Sequence, residues 1–380
     1  MAESTRSEFV RAKLHIARAF RGLTQQELAN KAALTQAFVS QIEKGHKSPS
    51  EDVLAALAHA LDFATSFFLE PADDLFLETE CNFRRRKTTP AFLRERLVAQ
   101  GNVFNLAVGY LDKTLRLPKL SVPALTARSP AEIEKAADHC RAAWGVGLNL
   151  PCTNVVRAAE LQGVMTTRFA GHAAQIDAFS RSGARPLIVL NSDKGSTSRA
   201  RWDVAHELGH LVLHRGRPEG DEQREEEADV FASAFLLPRE GFCREFPGVQ
   251  RIDWPMVFRF KARWIASAAA IVRRAYQLQR IDAAEYRRAY KYMSFKGWLK
   301  GEPQEPPQEN PESIPLALGV LYTRRGETHG DLARRLGLTP SILRDVGIEP
   351  SEAEAQSAAR PPPAGRVVPL RRTQPRKGDE

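Results

Sequence analysis

The sequence has few cysteines and no long apolar run. Its 380 residues contain four cysteines, which are scattered and form no Cys-x-x-Cys pair. A disulfide framework or a cysteine-based zinc site is therefore not expected. No apolar stretch approaches the roughly 20 residues that cross a bilayer, and no apolar signal core follows the N-terminus. These absences predict a cytoplasmic protein without a membrane partner.

Acidic residues are scarce in one part of the chain. The formal net charge is +9, and residues 251–300 contain 12 basic and 3 acidic side chains. The remainder of the chain therefore sums to zero. Such a segment could face nucleic acid or an acidic protein surface. Alternatively, it forms helices that support a neighbouring domain and expose a basic outer face to solvent.

Residues 8–70 predict a run of short helices. Thr24 and Thr35 each occupy an N-cap position, and Glu27 completes a capping box with Thr24. Gly45 ends the second of these two helices. Two short helices joined by a tight turn form a helix-turn-helix. A small helical bundle that binds protein is the alternative.

The motif His-Glu-x-x-His occupies residues 206–210 within a helical pattern. His206 and His210 are four residues apart, so they lie on one helix face about 6 Å apart along the axis. Two such imidazoles can bind one metal ion, and Glu207 can reach a water on that ion. A chance match is the alternative, but apolar neighbours of the motif favour a buried site.

A catalytic zinc ion needs a third protein ligand. His214 lies about 12 Å from His206 along a straight helix, so it cannot share one ion with both other histidines. The metzincin pattern requires Gly and His where this chain has Leu213 and Gly216. The third ligand must therefore come from another element.

The helical pattern over residues 224–238 supplies that element. Glu225 and Asp229 lie four residues apart on one face, an arrangement that resembles gluzincin-type peptidases. In those peptidases the glutamate binds zinc and the aspartate orients a ligating histidine. Glu226 and Glu227 remain alternative ligands because the three glutamates are consecutive.

The helix-turn-helix segment resembles the Cro/C1-type (XRE) family over nearly its full length. The resemblance implies that Thr35–Lys44 is the recognition helix of a module that binds double-stranded operator DNA. It also implies five DNA-contacting residues, with Gln25 near a phosphate: Gln25, Gln36, Ala37, Gln41 and Lys44.

The chain also resembles the ImmA/IrrE family of metallopeptidases. The likeness is carried by Asp177-Ala-Phe-Ser, Trp202 to His214 and Glu225 to Pro238. Trp202-Asp203 departs from the Arg-Phe and small or apolar residue that many relatives have. The resemblance implies a DNA-binding regulatory zinc endopeptidase that cleaves a repressor-type transcription factor and could form a homodimer.

The same resemblance implies specific roles at the site. His206, His210 and Glu225 would hold Zn²⁺, Glu207 would act as the general base, and Asp229 would orient a ligand. The alternative function is an XRE-type regulator whose zincin-like domain senses a ligand or partner. An antitoxin-like partner of a small toxin is a third hypothesis.

The expected fold class is α+β with several domains. An N-terminal all-α helix-turn-helix bundle precedes a zincin-like domain with a small antiparallel sheet and a helical C-terminal layer. The predicted segments are 1–72 (helix-turn-helix), 73–125 (helical and extended connector), 126–245 (zincin-like), 246–300 (basic helical), 301–315 (Pro-rich linker), 316–350 (small helical) and 351–380 (disordered tail).

Overall fold

The computed structural model describes residues 8–71, 74–83, 89–169, 178–191, 196–215 and 222–359. Asp177 and the last 21 residues of the predicted tail lie outside these ranges. Within them no helix combines the length and apolar character that a bilayer crossing requires.

The described residues form helices and one small sheet, consistent with the expected α+β class. The helices are α1 Arg11–Phe20, α2 Gln25–Lys31, α3 Gln36–Glu43, α4 Glu51–Leu61, α5 Ala91–Thr114, α6 Pro130–Ala143, α7 Val155–Leu161, α8 Thr197–Leu213, α9 Glu222–Leu236, α10 Arg239–Glu245, α11 Trp254–Trp264, α12 Ala268–Gln277, α13 Ala283–Phe295, α14 Ser313–Arg325, α15 His329–Arg335, α16 Pro340–Asp345 and α17 Glu352–Ala359. The strands are β1 Cys81–Phe83, β2 Met165–Phe169, β3 Ala178–Arg181 and β4 Leu187–Asn191.

The sheet is mixed, which corrects the expectation of a wholly antiparallel sheet. Its strand order is β1-β3-β4-β2, and β4 pairs antiparallel with β3 but parallel with β2. The short connection between β3 and β4 forces an antiparallel pair. Because β3 runs antiparallel to β4 and lies between β2 and β4 in the sequence, the chain direction reverses twice and β2 and β4 run parallel.

The sheet separates two apolar cores. Phe179 and Val189 face a core that includes α1, α5 and the C-terminal helices α14 to α16. Ile188 and Leu190 face a second core built from α6 to α13. Alternate residues of β4 point to opposite faces, so both faces of this strand are buried. The basic segment 251–300 contributes its apolar side chains to the second core.

The C-terminal helices repeat the N-terminal helix-turn-helix. Thr328 caps α15 in a capping box with Asp331, as Thr24 caps α2 with Glu27. Thr339 stands before α16 as Thr35 stands before α3. Positive-φ residues also recur at matching positions, as the pairs Gly22 and Gly326 (φ 67° and 65°) and Ala33 and Gly337 (φ 55° and 67°). Residues 313–359 thus form a second four-helix unit of the same pattern.

The predicted disordered tail is wrong for its first residues, because α17 covers Glu352–Ala359. Ser351 Oγ accepts from Glu354 N at 3.2 Å, an N-cap interaction. The Glu354 carboxylate accepts from His329 N, with distances of 3.1 and 3.0 Å to its two oxygens. These contacts hold α17 against the start of α15.

The predicted linker 301–315 is docked on helices α7, α8 and α12 through three glutamates. Glu302 accepts from Ala268 N at 2.7 Å, at the first turn of α12. Glu305 accepts from Ser198 N at 2.8 Å, at the first turn of α8. Glu309 accepts from the first turn of α7 in the same way. Carboxylates at helix N-termini accept hydrogen bonds from free N–H groups and interact favourably with the helix dipole.

Glu309 has the most buried contacts of these glutamates. Its carboxylate accepts from Val155 N at 2.8 Å and Val156 N at 3.3 Å. It also pairs with Arg201, whose guanidinium is 1% exposed. Burial lowers the pKa of Arg201 to about 10, so the guanidinium stays charged at neutral pH and Glu309 supplies a buried counter-charge.

Glu309→Ala is expected to lower the free energy of unfolding by about 3 kcal/mol, because it leaves Arg201 buried without its carboxylate. Thermal or urea unfolding measures the change. Glu312→Ala is the control, since Glu312 lies three residues along the same segment with a half-exposed side chain. A loss of similar size in both variants would contradict the role given to Glu309.

Candidate metal centre

The His-Glu-x-x-His motif lies in the middle of the buried helix α8. Ser196 caps this helix by accepting from Arg199 N. Ala205, Leu208 and Leu211 around the motif are 0% exposed. A helix buried on all sides holds its side chains in fixed rotamers, as a coordination site requires.

Three side chains converge at this point. His206 Nε2 lies 3.3 Å from Glu225 Oε2, and His210 Nε2 lies 3.2 Å from Glu225 Oε1. The two histidine Nε2 atoms are 3.1 Å apart. The ligand atoms of all three residues fall within 4.8 Å of one another, close enough to hold one metal ion. Of the three consecutive glutamates, Glu225 is the one whose carboxylate contacts both histidines.

Asp229 supports the first histidine. Its Oδ1 lies 2.9 Å from His206 Nδ1, and its Oδ2 accepts from Arg273 Nη1 at 3.0 Å. A carboxylate only accepts, so His206 Nδ1 carries the proton and Nε2 presents its lone pair to the cluster. Asp229 therefore lies where an orienting residue is expected. Arg273 was not foreseen in this place.

His214 supports the second histidine and does not join the cluster. His214 Nδ1 lies 2.9 Å from His210 Nδ1, and His214 Nε2 lies 2.9 Å from Glu227 Oε2. Because Glu227 accepts, His214 Nε2 donates and its Nδ1 accepts the proton of His210. His210 Nε2 is then left with a lone pair. The four-residue spacing of His210 and His214 is the sequence signal for this contact.

Burial and hydrogen bonding set the charges of the cluster. Burial lowers the pKa of His210 to about 3, so this imidazole is neutral at physiological pH. Burial alone would raise the pKa of Glu225, but the polar contacts with the imidazoles of His206 and His210 outweigh it and hold that pKa well below its usual range. Neutral imidazoles and an ionised carboxylate are the forms that bind metal ions.

Glu207 is completely buried next to the first histidine. It follows His206 on α8 and is displaced from it by about 100° around the helix axis. A carboxylate in such a site is a candidate for proton transfer.

Gly209 allows α8 and α9 to approach closely. A Cβ added at Gly209 would lie 3.1 Å from Ala228 Cα and 3.2 Å from Phe231 Cβ. These atoms belong to the backbone and the first side-chain carbon of α9, so they cannot rotate away. The glycine in the motif therefore brings Glu225 within reach of the histidines.

Gly209→Ala is expected to destabilise the chain by about 1–3 kcal/mol through overpacking, despite the higher helix propensity of alanine. It should also weaken metal binding, because α9 is displaced. Gly109→Ala in α5 is the matched control, since a Cβ there meets nothing within 4 Å. That variant should gain up to about 1 kcal/mol. Equal stability changes in urea unfolding would contradict this account.

The residues expected to contact DNA lie on α3 and at the start of α2. Gln36, Ala37 and Lys44 are exposed, and Gln41 is half-buried. Gln36 Nε2 donates to Gln25 Oε1 at 3.0 Å. These side chains therefore share one exposed surface.

The ion pair between Arg18 and Glu43 supports this surface on its buried side. Gln25 Nε2 donates to Glu43 Oε2 at 2.8 Å, and Arg18 donates to Glu43 Oε1 at 2.6 Å. Neither Glu43 nor Arg18 was foreseen as part of the interface. The buried pair holds Gln25, and through it Gln36, in a defined arrangement.

The arrangement on α8 and α9 is that of a metallopeptidase-like centre. Residues 159–276 match the model of the IrrE N-terminal-like domain. Residues 14–68 match a helix-turn-helix model. The resemblance to the ImmA/IrrE and XRE families is confirmed over these residues, and the chain is a DNA-binding regulator with an IrrE-like peptidase domain. A comparison with curated proteins found no match.

Proposed function

We propose that the chain is a regulatory zinc endopeptidase that cleaves a repressor-type transcription factor. The strongest support is that two imidazoles and one carboxylate converge on a single point. The Nδ1 atom of each imidazole is hydrogen-bonded to a further side chain, which fixes the orientation of the ring. Two histidines and a glutamate form a known catalytic zinc set that leaves a fourth position open.

His206, His210 and Glu225 would hold the zinc ion. When bound, zinc polarises the scissile carbonyl and lowers the pKa of water. Glu207 accepts a proton from the attacking water and passes it to the leaving amine. Asp229 and His214 keep the Nε2 atoms of the two histidines directed at the site.

The helix-turn-helix would bind operator DNA and so place the peptidase activity at a particular gene. Gln36 and Gln41 on α3 would contact base edges, where glutamine can pair with adenine, and Ala37 lies between them. Lys44 and Gln25 would contact phosphates. The family resemblance supports a repressor as the substrate.

The test is incubation of the full chain with the repressor-type protein encoded nearest to it, with and without a chelator, followed by mass spectrometry. We expect one cleavage site and loss of cleavage after zinc removal, with recovery on zinc addition. Zinc binding without cleavage, together with operator binding that responds to a small molecule, would favour a sensor instead.

A further inference from the structure

A cleft opens beside the candidate metal centre. Its volume is about 160 Å³. A cavity of about 150 Å³ accommodates a benzene molecule, so this cleft can take one amino-acid side chain. Its basic and aromatic lining residues are Arg199, Trp202, Arg273, Tyr290, Trp298 and Lys300.

Two of these residues join the cleft to the metal centre. Trp202 is four residues before His206 on α8, which places it about 6 Å further along the same helix face. Arg273 donates to Asp229, whose other oxygen contacts His206. These contacts place the cleft beside His206, within reach of a side chain close to a scissile bond that is held at the metal centre.

The charge of the cleft is basic. Arg199, Arg273 and Lys300 contribute cations, and Arg273 remains about one-third exposed. Glu302 is the single carboxylate among the described lining residues. It is already paired with Lys261 Nζ at 2.7 Å and with the N-terminus of α12. Arg273 is already paired with Asp229, so a carboxylate entering the cleft would pair chiefly with Arg199 and Lys300.

The remaining walls are aromatic. Trp202, Tyr290 and Trp298 line the cleft, and Arg273 lies 5.9 Å from the Trp202 ring. Such walls pack against the methylene groups of a side chain while the cations pair with its end group.

We propose that this cleft binds an aspartate or glutamate side chain of the substrate next to the scissile bond. The proposal rests on the proposed peptidase function for its biological meaning. The binding property itself belongs to the cleft and can be measured without cleavage.

The first experiment measures binding to the full-length zinc-loaded chain. N-acetyl-glutamate methylamide, its glutamine counterpart and its phenylalanine counterpart are titrated while tryptophan fluorescence is recorded, because Trp202 and Trp298 line the cleft. At low ionic strength, where charge pairing is least screened, we expect the glutamate compound to bind about tenfold more tightly than the glutamine compound.

Variants assign this preference to the cleft. Arg199→Gln with Lys300→Gln should remove the advantage of the glutamate compound. Lys300→Gln alone should reduce it without affecting folding, because Lys300 is exposed. Lys291→Gln is the matched control for charge, since Lys291 is exposed on α13 and does not line the cleft. Equal binding of the glutamate and glutamine compounds, tightest binding of the phenylalanine compound, or no binding at all would overturn the proposal.

The second experiment separates the cleft from the peptidase function. A random synthetic peptide mixture is digested with the zinc-loaded chain, and the sequences around each cut are read by mass spectrometry. We expect acidic residues to be enriched at one position beside the cut. Cutting without this enrichment contradicts the cleft proposal and leaves the peptidase function standing. Selective binding of the glutamate compound without any cutting supports the cleft proposal and contradicts the peptidase function.

Discussion

Glu225→Ala is expected to abolish tight zinc binding while the chain stays folded. The Glu225 carboxylate lies within 3.3 Å of the Nε2 atoms of both histidines. Loss of a direct ligand should lower zinc affinity by more than the roughly 10- to 100-fold that loss of an outer hydrogen-bond partner costs. Competition with a fluorescent chelator measures the affinity, and circular dichroism checks the fold.

Glu226→Ala is the matched control for this experiment. Glu226 is the next residue of α9, but its side chain is exposed to solvent. Its removal should leave zinc affinity unchanged. If Glu226→Ala lost zinc and Glu225→Ala kept it, the assignment of the third ligand would be wrong.

Glu207→Gln is expected to keep zinc and lose cleavage. Glutamine has nearly the same volume, so the packing around this buried position is retained. It cannot accept the proton of the attacking water, and removal of a general base typically costs 10²- to 10⁴-fold in rate. The measurement is the initial rate of repressor cleavage, quantified by mass spectrometry at equal zinc content.

Two results would contradict the role given to Glu207. An unchanged cleavage rate would show that another group takes the proton. Loss of zinc from Glu207→Gln would place Glu207 among the metal ligands. Glu226→Gln makes the same charge change on an exposed residue and should behave as the unmodified chain does.

The parts of the site that depend on local spacing could be predicted from the sequence. His206 and His210 share a helix face because they are four residues apart, and Glu225 and Asp229 follow the same rule on the next helix. The supporting contacts could not be predicted in this way. Arg273 reaches Asp229 from a helix 44 residues further along the chain, and no local pattern encodes that distance.

The contacts of the linker 301–315 could not be predicted from the sequence either. Residues 301–315 are rich in proline and glutamate, a composition typical of a stiff spacer. Their glutamates instead bind N-termini of α12, α8 and α7, and Glu309 reaches a residue 154 positions away. Composition describes the flexibility of a segment, but it does not describe the surface on which the segment lies.

The second helix-turn-helix bears on how many chains an operator would recruit. Where α3 has Gln36 and Gln41, α16 has Pro340 and Asp345. Proline offers no amide to a base edge, and a carboxylate is repelled by phosphates. Each chain would then contribute one recognition helix, α3. An operator with two half-sites would require two chains, and it would thereby bring two peptidase sites to one stretch of DNA.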